Sequence, residues 1–118
     1  MSTNIEISKT VSNVGIRVYS FSGELDEMNV DNTFTDIIND IGDFTEARIV
    51  FHFGNLQYIN SKGIGWIADI YQKTKDGGGI FVICSPRENI KDTLELDGIS
   101  TIVPVHPNER SAVEEFIK

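Results

Sequence analysis

Tyr58-Ile59-Asn60-Ser61-Lys62-Gly63-Ile64-Gly65-Trp66 is the stretch where an apolar, strand-like run stops and a helical pattern begins. A serine at such a junction places its hydroxyl near unpaired backbone N–H groups and the positive end of the helix dipole, where an anion is favoured. Phosphate chemistry at Ser61 is one reading. The other is structural: Asn and Ser are preferred N-cap residues, and both could serve only to start the helix.

Working outward, the residues before this junction supply a buried strand. Residues 47–53 form a nearly continuous run of β-branched and aromatic side chains, as in a strand covered on both faces. After the junction, residues 61–75 carry Ile64, Ile67, Ala68, Tyr71 and Thr74 on one helical stripe. Projection at about 100° per residue puts Trp66 on the opposite side with Lys62, Asp69 and Lys73, which makes it a candidate interface anchor. Gly77-Gly78-Gly79 ends that helix and returns the chain to a strand at residues 80–84. The glycines do not make a phosphate-binding loop, because the Lys-Ser/Thr and the strand-to-helix order that such a loop needs are missing.

Nearer the start, residues 5–8 and 15–22 read as strands joined by a Ser12-Asn13 turn, a β-hairpin. From Val30, the residues Phe34, Ile37, Ile38 and Ile41 follow a helical stripe that Gly42 closes. Toward the end, Pro86 opens a helix with Ile90 and Leu94 inward, ending near Leu96 with Gly98 as its stop. Residues 101–105 read as a last strand, and Pro107 opens a terminal helix with Ala112, Val113, Phe116 and Ile117 inward. The order is that of an α/β domain with a mixed, mostly parallel five-stranded sheet and about four helices. Residues 1–118 read as one domain.

Composition narrows the function. Hydrophobic residues at 40% and charged residues at 24% are ordinary globular values. A formal net charge of -8 disfavours nucleic acid and anionic membranes and suits a protein partner with a basic face. No apolar run approaches the length of a membrane span and no signal peptide is evident, so a cytoplasmic location is expected. The single Cys84 suits a reducing compartment and reads as a buried strand residue. His52 and His106 are the only histidines and lack ligand spacing, so neither a metal nor another cofactor is expected. His52 reads as a hydrogen-bonded residue beneath the Asn60 loop. With no nucleophile–base pair, carboxylate dyad or nucleotide loop, the chain does not read as an enzyme.

Over essentially its full length the chain resembles the STAS family, the domain of anti-sigma factor antagonists and of the cytoplasmic tails of sulphate transporters. Gly23, Leu25 and Asp26 match the family's Gly-x-Leu/Ile-Asp segment after the second strand. Ile59, Asn60, Ser61, Lys62 and Gly63 match the segment of apolar residue, Asp, Ser, small residue and Gly after the third. Gly65 falls where the family helix commonly has a second glycine, and the segment from Ser85-Pro86 through Leu94, Leu96 and Gly98-Ile99 looks like its third helix and following turn.

The resemblance implies a switch protein. Its partner is a serine kinase that doubles as an anti-sigma factor, bound by the unphosphorylated domain and released by the phosphorylated one; a phosphatase is a further possible partner. Ser61 would be the phosphoacceptor, and Asp26, Asn60, Lys62, Gly63 and Trp66 the partner-binding residues. The chain differs from the family at Asn60 and His52, each standing where aspartate is usual, and at Lys62, which adds a positive charge. The alternative is a non-catalytic scaffold subunit of a stress-signalling or lipid-transport complex, in which Ser61 is only a helix cap.

Overall fold

The computed structural model describes residues 4–117. Strands β1 (Ile5–Val11), β2 (Ile16–Leu25), β3 (Arg48–Ile59), β4 (Ile80–Cys84) and β5 (Val105–His106) lie side by side in chain order. β1 and β2 run antiparallel, as the hairpin reading expects, and the remaining pairs are parallel. Helices α1 (Val30–Ile41), α2 (Ser61–Asp76), α3 (Glu88–Asp97) and α4 (Glu109–Val113) fill the crossovers and the end of the chain.

Strand alternation divides the apolar residues between two faces. Tyr19, Phe21, Ile49, Phe51, Phe53, Phe81 and Ile83 join Phe34 and Ile37 of α1, Ile67 and Ile70 of α2, and Ile90 and Leu94 of α3 in the main core. Five phenylalanines are among its largest fully buried side chains. Phe51 is its hub, with ring centroids 4.9 Å from Phe21 and 4.8 Å from Phe81. The intervening residues Ile16, Val18, Val50, Val82 and Cys84 point the other way, onto Ala112 and Phe116 at the chain's end.

Cys84 is buried, as expected for a strand residue. Burial pushes its thiol pKa up to about 11, which makes it a poor nucleophile. Gly98, at φ 95°, caps α3 in the left-handed conformation that glycine adopts without Cβ strain. The triple glycine forms the tight return from α2 to β4, with Gly79 N–H bonded to Thr74 O.

Three expectations are corrected. The last strand is not residues 101–105: Thr101 ends a 3-10 turn that begins at Ile99, and β5 is only Val105–His106. Those two residues are what reach β4 in register, pairing with Ile83 and Cys84. Ile117 is 72% exposed, because α4 gives way to a 3-10 turn after Val113 and the inward stripe stops at Phe116. On α2 the buried residues are Gly63, Ile64, Ile67, Ile70 and Thr74, while Ala68 is exposed. The covered arc is turned toward α1, which packs against one flank of α2 as the sheet packs beneath it.

β3 is longer than residues 47–53 suggest. β4 pairs with it only as far as His52, but β2 follows it to Ile59 across two register irregularities. Beyond β4, Arg87 Nε donates to Gly54 O at 3.1 Å and Asn89 Nδ2 to Gln57 O at 2.9 Å, so side chains at the start of α3 bond the backbone that β4 does not reach.

Candidate functional site

The junction quoted at the outset is the tip of β3 and the first turn of α2. Asn60 is the N-cap: its backbone is extended, and its side-chain Oδ1 accepts from Gly63 N–H at 2.9 Å. Asparagine supplies the same acceptor oxygen that aspartate would, so the cap survives the exchange. Ser61 is therefore the first helical residue and not the cap. Its side chain is exposed, and its hydroxyl forms no hydrogen bond within the described residues. The two roles that the sequence left shared between Asn60 and Ser61 are thus separate.

The loop after β2 lies directly alongside. Leu25 pairs with Ile59, and Asn60 N–H donates to Leu25 O at 3.1 Å, which carries the chain at Asp26 next to the start of α2. Asp26 Oδ1 accepts from Met28 N–H at 2.9 Å, closing a local turn. Asn29, only 2% exposed, pins that turn: Oδ1 accepts from Asp26 N–H and Nδ2 donates to Glu24 O. The sequence did not single out Asn29, because it ends a polar connection with no periodicity of its own. Here it forms no side-chain cap and is spent on the loop.

Trp66 is a correction. It is half-buried rather than on the open side, stacked on Phe34 with ring centroids 6.0 Å apart and planes inclined by 8°. Its indole N–H donates to Asp31 Oδ1 at 2.9 Å, while Lys62 Nζ holds Asp31 Oδ2 at 2.8 Å. The Lys62 bond, with the Trp66 bond second, holds the Asp31 carboxyl below its usual pKa. One carboxylate in the first turn of α1 thus gathers two of the candidate residues of α2. No pattern within either helix could have shown Asp31, since the contact depends on how α1 and α2 cross.

Gly63 is buried beneath the first turn, and it is there for room: a Cβ would stand 2.7 Å from Ile59 Cγ1. Ser61 also lines a shallow groove of about 260 Å³ with Ile64, Gly65, Asp97, Ile99 and Ile102. Ile102 is 61% exposed there, an apolar side chain that the strand reading of residues 101–105 had no reason to single out.

His52 is hydrogen-bonded as expected, but not beneath the Asn60 loop. It lies on the α4 side of the sheet, where Nδ1 accepts from Gly54 N–H at 3.1 Å and Nε2 is 3.9 Å from Glu109 Oε1. Strand alternation dictates this, since Phe51 and Phe53 occupy the other face. Among the described residues no group of three or more His, Cys, Asp or Glu side chains could hold a metal ion.

The model of the STAS domain family matches residues 8–112. The chain belongs to the STAS domain family. An anti-sigma F factor antagonist of Paenibacillus polymyxa is 29% identical over 102 residues, covering 86% of this STAS domain chain and 87% of that protein. An anti-sigma factor antagonist of Mycobacterium paratuberculosis shares the fold with TM-score 0.84 at 22% identity, over 97% and 95% of the two chains.

The Bacillus cell fate determinant SpoIIAA, an anti-sigma factor antagonist, has been solved in unphosphorylated and phosphorylated forms. These match this STAS domain with TM-scores of 0.76 and 0.68, each at 18% identity. Coverage is 95% of this chain and 96% of SpoIIAA for the first, and 94% and 99% for the second. No helix among the described residues of the STAS domain is long and apolar enough to cross a membrane.

Proposed function

We propose that this STAS domain is an anti-sigma factor antagonist, a binding module and not an enzyme. It binds a serine kinase that doubles as an anti-sigma factor while Ser61 is unmodified, and releases it when Ser61 carries phosphate. The observation that carries this reading is the division of labour at the head of α2: Asn60 makes the cap, so the exposed Ser61 hydroxyl is left to react. The scaffold alternative keeps Ser61 only as a cap, a task that Asn60 already performs.

In the proposed transfer, Ser61 Oγ attacks the γ-phosphorus of ATP held by the partner. The new Oγ–P bond forms as the bond to the β-phosphate oxygen breaks. ADP leaves, and the hydroxyl proton passes to a base of the kinase. The α2 backbone favours the product, since a charge of about -1.5 to -2 near a helix N-terminus gains roughly 0.3–1 kcal/mol.

At a complementary interface the balance is reversed. A like charge at about 4 Å, with an effective dielectric near 20, costs on the order of 4 kcal/mol. That is nearly a thousandfold in affinity. Partner ejection therefore outweighs the local gain, and it requires no change of fold. Asp26, Asn60, Lys62, Gly63 and Trp66 are assigned to the partner surface, some by contact and some, like Gly63, by shaping the turn. The cytoplasm is the proposed location.

The test supplies purified protein with ATP and a small serine kinase of the histidine-kinase-like ATP-binding type. One phosphate is expected on the peptide containing Ser61, none on Ser61→Ala, and loss of kinase binding after modification. A stable complex indifferent to ATP would overturn the switch and favour the scaffold.

A further inference from the structure

Lys62 follows Ser61 directly, yet its ammonium is committed 2.8 Å away to Asp31 of the neighbouring helix. Both side chains of that pair are more than half exposed, 61% for Lys62 and 53% for Asp31. An ion pair so open to water is weak and screened by salt. The Lys62 ammonium is a compact charge on a flexible four-carbon stem, able to exchange partners without moving the backbone. A phosphate on Ser61 would add a doubly charged competitor one residue away. It would do so beside Asp97, which lines the same groove as Ser61, and near the turn that holds Asp26.

We infer that Lys62 is an exchangeable counter-ion, held by Asp31 in the unmodified chain and drawn to the phosphate when Ser61 is modified. This rests on the reading of Ser61 as the phosphoacceptor. The exchange changes the surface in two places at once. The phosphate brings negative charge to Ser61, and the departure of Lys62 uncovers the Asp31 carboxylate on α1, which keeps only its bond from the Trp66 indole. A partner fitted to a neutral Asp31–Lys62 pair then meets a bare carboxylate as well as a phosphate. Asp31 is thus a positioning residue, acting on the switch through Lys62.

The experiment installs phosphoserine at position 61 during translation, so no kinase is needed, and follows the second ionisation of the phosphate by phosphorus NMR. That ionisation lies near about pH 6 in free phosphoserine, and a neighbouring cation lowers it by favouring the dianion. Lys62→Met is expected to raise it by about half a pH unit, roughly threefold in proton affinity. Asp31→Asn is expected to lower it by a similar amount where Lys62 is present and by clearly less in the Lys62→Met background, because only direct repulsion by Asp31 then remains.

No response to Lys62→Met, or equal responses to Asp31→Asn in the two backgrounds, would overturn the exchange. Both changes lie on the surface, and an unchanged amide spectrum elsewhere identifies the folded state. Failure of the kinase assay and failure of this titration are separate results, since neither protein preparation depends on the other.

Discussion

Trp66 of α2 lies flat on Phe34 of α1, planes inclined by 8°, with its indole N–H tied to Asp31 of the same helix. This is an interior contact between two helices that also borders the candidate surface. Trp66→Ala should therefore cost stability, about 2 kcal/mol, less than the 3–5 kcal/mol of a fully buried aromatic because the ring is only half covered. Urea denaturation measures it. Trp66→Phe, which keeps an aromatic face on Phe34 but loses the indole donor, is the variant in which a change of partner affinity reports on the surface and not on folding. A stability unchanged in Trp66→Ala would contradict the packing role.

Gly63 and Gly65 stand two residues apart in α2 and should respond oppositely to alanine. A Cβ at Gly63 would meet Ile59 Cγ1 at 2.7 Å and Cδ1 at 3.1 Å, both on a side chain only 4% exposed, whereas one at Gly65 meets nothing within 4 Å. Gly63→Ala should destabilise by about 1–2 kcal/mol, overpacking outweighing the gain in helix propensity. Gly65→Ala should stabilise by about 0.5–1 kcal/mol. Denaturation midpoints that moved in the same direction would refute the distinction.

The contrast shows where the sequence was legible. The hairpin, α1 from Val30 to Gly42 and the Gly98 stop rest on local signals of periodicity and turn chemistry, and all three are present in the structure, the hairpin strands running on to Val11 and Leu25 beyond the residues read. The position of Ser61 at the head of α2 was likewise local. Asp31 was not, because it meets Lys62 and Trp66 across 31 and 35 residues of chain. Trp66 was assigned to solvent by projecting a helix against a single sheet, but α2 has a second neighbour, α1, on that flank. β5 was misplaced because Ile102 and Val103 resemble a strand start but follow the 3-10 turn of residues 99–101 without pairing, and Val103 is buried there all the same. Short apolar runs do not distinguish those outcomes by pattern.

Asn60 should behave as a cap whose acceptor oxygen matters more than its amide. Asn60→Ala should lower stability by about 1 kcal/mol through loss of the bond from Gly63 N–H. Asn60→Asp retains an acceptor and places negative charge at the positive end of the helix, so it should equal the parent or exceed it by a few tenths of a kcal/mol. Thermal melts at neutral pH measure both. An aspartate variant as weak as the alanine one would remove the cap from the account.

Tyr19 gives the chain an alkaline limit. Burial, followed by its hydrogen bond to Asp40 at 2.7 Å, pushes the phenol from 10.0 up to about 12. The folded state therefore holds the proton more tightly than the unfolded chain. The contribution to stability is fully present below pH 10 and is lost as pH rises through about 12. Phenolate absorbance of the native protein should show this late ionisation, and Tyr19→Phe should flatten the loss of stability across that interval. A loss of stability just as steep in Tyr19→Phe would place its cause in another group.

β3 runs on past the end of β4, with Arg87 and Asn89 bonding the exposed backbone at Gly54 and Gln57. Mechanically, Ser61 is carried at the end of a two-stranded cantilever, and the start of α3 is its splint. Bare strand edges invite pairing with other chains. These side-chain donors occupy carbonyls that an incoming strand would use, and they brace the arm on the side that β4 leaves open. Damage to the splint at Arg87 would be transmitted along β3 to a serine that Arg87 never touches.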